Sequence, residues 1–259
     1  MTDDAAVLQD VAAQAIRLLD LTSLNDGDDE AAVVVLCNRA ATAPGPVAAV
    51  CIWPRFITLA RGLLEHSGVR VAAVANFPAG GDNIAAAVLE TEDIVNQGGD
   101  EVDLVMPYSR WLGGDVTVAR DMIAACKAAC GERVLLKVIL ETGDLREPAK
   151  IYAAAGDAIA AGADFVKTST GKIAVSATLE AAEAMLRAIK DSGRDVGFKA
   201  AGGIRDTVAA GTYLALADRI MGPDWADPMH FRFGASGLLD DLLAQLGVAP
   251  GAPPAPGSY

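Results

Sequence analysis

Short, almost unbroken apolar runs alternate with amphipathic stretches from Val47 onward, and this rhythm restricts the chain to very few architectures. Strand-like runs fall at 47–53, 69–77, 101–108, 134–142, 165–170, 196–200, 219–222 and 231–234, the seventh being the weakest. Between most of them apolar residues recur at helical spacing, as in Ile84, Ala87, Val88, Thr91, Ile94 and Val95 before the stop at Gly98-Gly99. Strands this apolar must be buried on both faces, with the intervening helices covering the outer one. Eight such units in about 200 residues suit a closed α/β barrel, the (β/α)₈ TIM barrel. An open doubly wound sheet is the alternative. Against it, no G-x-G-x-x-G follows the first strand, and polar residues recur at the ends of several strands rather than at one switch point.

Two segments precede this rhythm and are expected as extra N-terminal helices. Residues 5–19 carry Val7, Leu8, Val11, Ala12, Ala15, Leu18 and Leu19 on one stripe, and a second helix spans 29–43 before Pro44-Gly45-Pro46. Between them, Asp20-Leu21-Thr22 sets an acid and a hydroxyl directly after an apolar helix, where they either satisfy the helix end or face a site.

With 259 residues, 52% of them hydrophobic, the chain can bury one large core, expected over 1–246, followed by a tail at 247–259 whose Pro-rich composition is that of a mobile segment. A net charge of −13 argues against nucleic acid or an anionic membrane surface as partner, so any anionic ligand needs a local basic pocket. The N-terminus lacks a secretory pattern and no apolar run reaches about 18 residues, which points to a soluble, cytoplasmic protein. Cys37, Cys51, Cys126 and Cys130 sit in apolar or helical stretches, as reduced thiols do. With only His66 and His230, the chain cannot assemble three imidazoles around a catalytic zinc, which disfavours metal-assisted carbonyl chemistry; no metal is expected.

The chemistry concentrates in Phe165-Val166-Lys167-Thr168-Ser169-Thr170-Gly171-Lys172, where a lysine enters an apolar strand and a small-residue loop follows. A buried ammonium costs several kcal/mol unless it is paired or neutralised. Strand alternation lets Asp103, Lys137, Lys167 and Lys199 all face one interior. For one lysine, a barrel-core ion pair such as Lys137 with Asp103 explains the charge; three together need at least three compensating charges. Crowded ammonium groups in a dry pocket depress the pKa of one of them, and the resulting amine is a nucleophile. An ordinary lysine is only about 0.04% neutral at pH 7, so a pKa near 7 raises the reactive fraction about a thousandfold. Such an amine condenses with a carbonyl to a Schiff base that eases carbon–carbon cleavage. Lys172, beyond the strand end, suits an anion. Glycine turns at Ala201-Gly202-Gly203-Ile204-Arg205 and Gly234-Ala235-Ser236-Gly237-Leu238 permit close backbone approach, and together with Lys172 and Ser236 they favour phosphate.

These segments, with Asp20-Leu21-Thr22, Cys51-Ile52-Trp53-Pro54-Arg55-Phe56, Asn76-Phe77-Pro78, Glu101-Val102-Asp103-Leu104-Val105, Leu136 to Gly143 and Phe198 to Arg205, closely resemble deoxyribose-phosphate aldolases from about residue 8 to the last helix. The resemblance implies a Schiff-base aldolase of deoxyribonucleotide catabolism. It would interconvert 2-deoxyribose 5-phosphate with acetaldehyde and glyceraldehyde 3-phosphate, without metal or organic cofactor. It implies Lys167 as nucleophile, Lys199 as the neighbour that perturbs it, and Asp103 as partner of Lys199 in proton transfer through water. Thr170, Lys172, Gly203 and Ser236 fall near substrate or phosphate, as do Thr22, Cys51, Thr168, Gly171, Gly202 and Gly237; Asp20 and Lys137 belong to the surrounding polar network. Relatives also end in a tyrosine held to enter the mouth and assist proton transfer, which assigns that role to Tyr259. Where some carry two serines this chain has Ser236-Gly237. A differently selective Schiff-base aldolase or transaldolase and a non-catalytic sugar-phosphate sensor are the other readings, and there is room for a homodimer.

Overall fold

The computed structural model describes residues 2–249, with side chains from residue 5. Eight parallel strands, each bonded to the next, close into a barrel. They are β1 (Leu19–Thr22), β2 (Ala49–Ile52), β3 (Arg70–Ala75), β4 (Glu101–Val105), β5 (Leu135–Ile139), β6 (Phe165–Lys167), β7 (Gly197–Ala201) and β8 (Phe231–Ala235), with β8 pairing back to β1. The helices are α1 (Thr2–Arg17), α2 (Glu30–Ala40), α3 (Ile57–Leu63), α4 (Ile84–Asn96), α5 (Tyr108–Leu112), α6 (Val116–Cys130), α7 (Thr142–Leu145), α8 (Pro148–Ala160), α9 (Leu179–Ser192), α10 (Thr207–Met221) and α11 (Leu238–Gln245). Four start on side-chain caps: Asp29, Asn83, Thr178 and Asp206 each accept from the backbone N–H three residues on. No described helix is long and apolar enough to cross a membrane.

The (β/α)₈ architecture is as expected, but the seventh expected strand is helical and the barrel has a strand ahead of the first expected one. The first barrel strand is Leu19–Thr22, and residues 219–221 end α10. Leu18 and Leu19 prolong the apolar stripe of α1, so periodicity carries the helix straight through the boundary and hides a four-residue strand. Conversely, Ile220 continues the buried face formed by Tyr213, Leu216 and Ala217. One strand was missed and one invented, which left the total of eight unchanged. Asp20 and Thr22 therefore belong to the barrel rather than to a helix end, α2 belongs to the first β/α unit, and α1 is the one helix preceding the barrel. The segment expected as helix to residue 43 leaves α2 at Ala40 and forms a short antiparallel ribbon, Ala41–Thr42 with Gly45–Pro46.

At the C-terminus, Gly247 takes φ +70° after α11, and the N–H groups of Gly247 and Val248 donate to the carbonyls of Ala244 and Leu243. This Schellman closure keeps residues 247 and 248 with the barrel, past the boundary expected at 246. The rest of the expected tail, Tyr259 included, lies outside the described residues.

The register explains why the site is polar. Asp103 lies beside Lys137, Lys167 beside Lys199, and Lys199 beside Arg232. Side chains of residues paired in this way point to the same face, so charges from five strands converge in the lumen. Opposite them, Cys51, Ala72 and Val74 pack with Leu24 as a small apolar patch.

Candidate active site

The four residues that strand alternation turned inward do meet. Asp103 is the hub: its Oδ1 accepts from Lys137 Nζ at 2.8 Å, and its Oδ2 accepts from Lys167 Nζ at 2.7 Å and Lys199 Nζ at 2.8 Å. Lys199 also binds Asp20, and Lys137 also binds Glu101, while Cys51 Sγ lies 3.8 Å from Asp103. Beneath them Arg232 is bidentate on Glu101 and reaches Asp20 Oδ1 at 2.6 Å. Among the described residues every buried side-chain nitrogen and oxygen has a partner, so a dense ionic core carries no orphaned polar atom.

Burial opposes ionisation of all three carboxyls, yet the surrounding cations outweigh it. Asp103, held by Lys137, Lys167 and Lys199, lies well below the usual carboxylate range, and Asp20 and Glu101 are lowered as well. Lys137 and Lys199 are raised despite burial, because Lys137 is paired with three carboxylates and Lys199 with two. Lys167 goes the other way. Burial pushes its pKa below that of an ordinary lysine, the single carboxylate Asp103 resists, and Lys199 adds repulsion. As an amine it can still donate one N–H to Asp103 and keep its lone pair free.

The lowered carboxyl values carry a sign for stability. Each carboxylate contributes stability that is fully present above the unfolded value of about 4 and lost as pH falls through the lowered folded value. A denaturant titration should therefore show no loss from the carboxylates above about pH 5 and a midpoint dropping steeply below about pH 4. A midpoint unchanged down to pH 3 would mean that the network is not ionised.

At the C-terminal ends of β1, β6, β7 and β8 opens a cavity of about 540 Å³. Of the ionic network, only Lys167 lines it; Asp20, Asp103, Lys137 and Lys199 lie behind. Its charged lining residues are Lys167, Lys172 and Arg205, with no carboxylate among the described residues, so an acidic protein presents a cationic pocket. Thr22, Thr170, Gly171, Gly202, Gly203, Ser236 and Gly237 line it too. A Cβ at Gly202, where φ is +83°, would meet Ser176 Oγ at 2.6 Å, and one at Gly234 would stand 3.0 Å from Lys199 Cε. Glycine at both positions keeps the lysine and the loop in place.

Two expected ligand contacts sit elsewhere. Thr168 is fully buried, and its Oγ1 donates to the Ala201 carbonyl and accepts from the Ala201 N–H, clamping β6 to β7 instead of facing the cavity. Cys51 is buried in the network wall, where burial and Asp103 raise its thiol pKa. Lys172 Nζ donates to Leu24 O at 2.6 Å and so bridges the loops after β6 and β1.

Three functional-looking residues escaped the sequence reading. Glu101 shares the inward face of β4 with Asp103, and Arg232 is a charge among aromatic residues on β8; both signals were present in the alternation. Glu141, at φ +55° after β5, accepts from Thr170 N at 3.2 Å and Thr170 Oγ1 at 2.6 Å, and burial raises its pKa. Only the turn of the backbone brings it there. A larger concavity, about 640 Å³, lies at the opposite end of the barrel near Arg61, Arg70 and Asp100, where Arg61 already holds Asp100. No lysine opens into it.

A parallel barrel with one accessible amine above an ionic core, in a cationic mouth, defines a (β/α)₈ protein suited to carbonyl chemistry on an anionic ligand. More specifically, the chain belongs to the DeoC/LacD family of aldolases, whose family model matches residues 14–222. Among solved structures, a candidate deoxyribose-phosphate aldolase from Coccidioides immitis is 29% identical, with TM-score 0.77 over 88% of this chain and 85% of its own. Two further structures share the fold. A candidate deoxyribose-phosphate aldolase from Toxoplasma gondii ME49 has TM-score 0.84 at 23% identity, over 94% of this chain and 95% of its own. The tetrameric deoxyribose-phosphate aldolase of Aeropyrum pernix has TM-score 0.75 at 23% identity, over 95% of this chain and 97% of its own.

Proposed function

We propose that this protein reversibly cleaves 2-deoxy-D-ribose 5-phosphate to acetaldehyde and D-glyceraldehyde 3-phosphate through a Schiff base on Lys167. The observation that carries this reading is that Lys167, alone of the buried lysines, lines the mouth cavity and has its pKa lowered. Membership of an aldolase family and the 29% identical Coccidioides relative support it.

The Lys167 amine adds to the C1 carbonyl of the open-chain sugar, and loss of water leaves an iminium. Loss of the proton from the C3 hydroxyl then breaks the C2–C3 bond: its electron pair becomes the enamine, and C3 becomes the carbonyl of glyceraldehyde 3-phosphate. Protonation at C2 and hydrolysis release acetaldehyde and restore the amine. Asp103 and Lys199, within 2.8 Å of each other directly behind Lys167, are placed to pass these protons through a water. Lys172, Arg205, Ser236, Gly203 and Gly237 line the part of the cavity suited to the phosphate, and glycine lets a ligand approach the backbone closely.

The test is a cleavage assay on 2-deoxyribose 5-phosphate and on unphosphorylated deoxyribose, with borohydride trapping of acetaldehyde. Cleavage should favour the phosphorylated sugar, and the adduct should map to Lys167. Lys172→Met should raise KM for the phosphorylated sugar roughly tenfold to a hundredfold with kcat little changed, because one charged contact to a group remote from the breaking bond is lost. Cleavage only of products built on a dihydroxyacetone donor would replace this reading with another aldolase specificity.

A further inference from the structure

We propose that Arg232, in the floor of the barrel, is a positioning residue for Lys167: its guanidinium occupies Asp20 and Glu101, leaving the lysines above it short of carboxylates. This rests on Lys167 being the reacting amine.

The geometry is layered. Arg232 leaves β8 in register with Lys199, but its head group turns toward the N-terminal end, where Nε donates to Pro228 O at 2.6 Å. It covers both oxygens of Glu101 and one oxygen of Asp20, and its guanidinium lies 5.6 Å from the Phe165 ring centre. Lys137 shares Glu101 and Asp103 and comes within 3.5 Å of Asp20, and Lys199 shares Asp20 and Asp103. Lys167 is left with Asp103 alone. The ion-paired interior therefore holds four cationic side chains (Lys137, Lys167, Lys199 and Arg232) against three carboxylates (Asp20, Glu101 and Asp103).

One positive charge is uncompensated, and burial makes that costly. It can be relieved by one group giving up its proton. A guanidinium does not do so, and Lys137 and Lys199 are paired with three and two carboxylates. Lys167, with one carboxylate and an open side toward the cavity, is where the deficit falls. Other groups near Lys167 act on it from farther away. Glu141 faces it from the end of β5 but forms no ion pair with it within 4 Å, its oxygens accepting from Thr170 instead, so its charge offsets the excess only partly; Cys51 faces it from β2 as a thiol. Arg70 approaches Glu101 from β3 at 3.5 Å but is partly exposed, so it adds a screened positive charge of the same sign.

This charge balance makes a prediction that a purely structural role for Arg232 does not. Arg232→Met leaves three cations against three carboxylates. Glu101→Gln leaves four against two. The double variant leaves three against two and restores an excess of one. The readout is the pH dependence of arylation of Lys167 by 1-fluoro-2,4-dinitrobenzene, a small neutral reagent that attacks free amines, with the site identified by peptide mass spectrometry. Arg232→Met should raise the half-maximal pH by about one unit, slowing arylation at pH 7 about tenfold. Glu101→Gln should lower it, the double variant should return close to wild type, and Arg232→Lys should keep the wild-type value.

An unchanged midpoint in Arg232→Met, with its fold verified by circular dichroism, overturns the inference. If that variant does not fold, Glu101→Gln decides: a lowered midpoint supports the inference and an unchanged one overturns it. A wild-type midpoint at the ordinary lysine value would instead sink the amine-nucleophile reading itself, so the two failures are distinguishable.

Discussion

Lys167→Leu should abolish trapping of acetaldehyde and lower kcat by about 10⁴-fold or more, while leaving the protein at least as stable as wild type. The loss follows from position, because no other lysine of the interior opens onto the cavity and none can take over the covalent step. The stability gain follows from the sign of the pKa shift. Lys167 has a folded pKa below its unfolded value, so between the two the unfolded chain binds more protons than the folded one. The resulting penalty grows as pH falls from the unfolded value and is complete below the folded one. Leucine removes it, fills the same buried space and leaves Asp103 paired to two lysines. Replacing a buried charged group by an apolar one of similar volume is commonly neutral or stabilising by about 1–4 kcal/mol. A gain of 1 kcal/mol would raise the Tm by about 2–4 °C. A variant that is inactive and also melts well below wild type would show that Lys167 is a structural cation.

Asp103→Asn is expected to separate imine formation from turnover. Three ammonium groups lose their shared carboxylate, and breaking a buried network at its hub costs about 3–5 kcal/mol, so the melting temperature should fall by 6 °C or more. For Lys167 the consequence has the opposite sense. Asp103 is what resists its deprotonation, so without it the amine is free at a lower pH and trapping persists. The proposed proton route through Asp103 and Lys199 would be broken, and kcat should drop about 10²- to 10⁴-fold. Single-turnover trapping beside steady-state cleavage reads both quantities. If trapping and cleavage fall together by the same factor, Asp103 serves only to hold Lys167 in place.

Much of this site was legible along the chain because strand alternation is a local rule. Asp103, Lys137, Lys167 and Lys199 each sit between residues that must face the helices, so each must face inward. The same rule turns Glu101 and Arg232 inward, but Glu101 opens its strand two residues before Asp103, and Arg232 is flanked by Phe231 and Phe233 in a run that reads as apolar. The first strand was hidden for a different reason. Four residues following an apolar helix are too few for a period of two to declare itself. Thr168 was misplaced because a strand's last residue and the first of its loop follow different rules. Alternation ends at Lys167, and the backbone beyond it turns Thr168 toward Ala201.

Local sequence rules thus settled the barrel, the inward direction of four charged residues and the small-residue loops at the strand ends, because periodicity and glycine placement act within a few residues of themselves. Which lysine opens onto the cavity with a lowered pKa was decided in three dimensions. Closing eight strands brings Asp20, Glu101 and Arg232 together from β1, β4 and β8, far apart in the chain, and shares three carboxylates among four cations. The charges of buried neighbours act over a few ångströms of space whatever their separation in sequence. Lys137, Lys167 and Lys199 look alike as strand residues and differ in how many carboxylates the closed barrel leaves them and in whether they open onto the cavity.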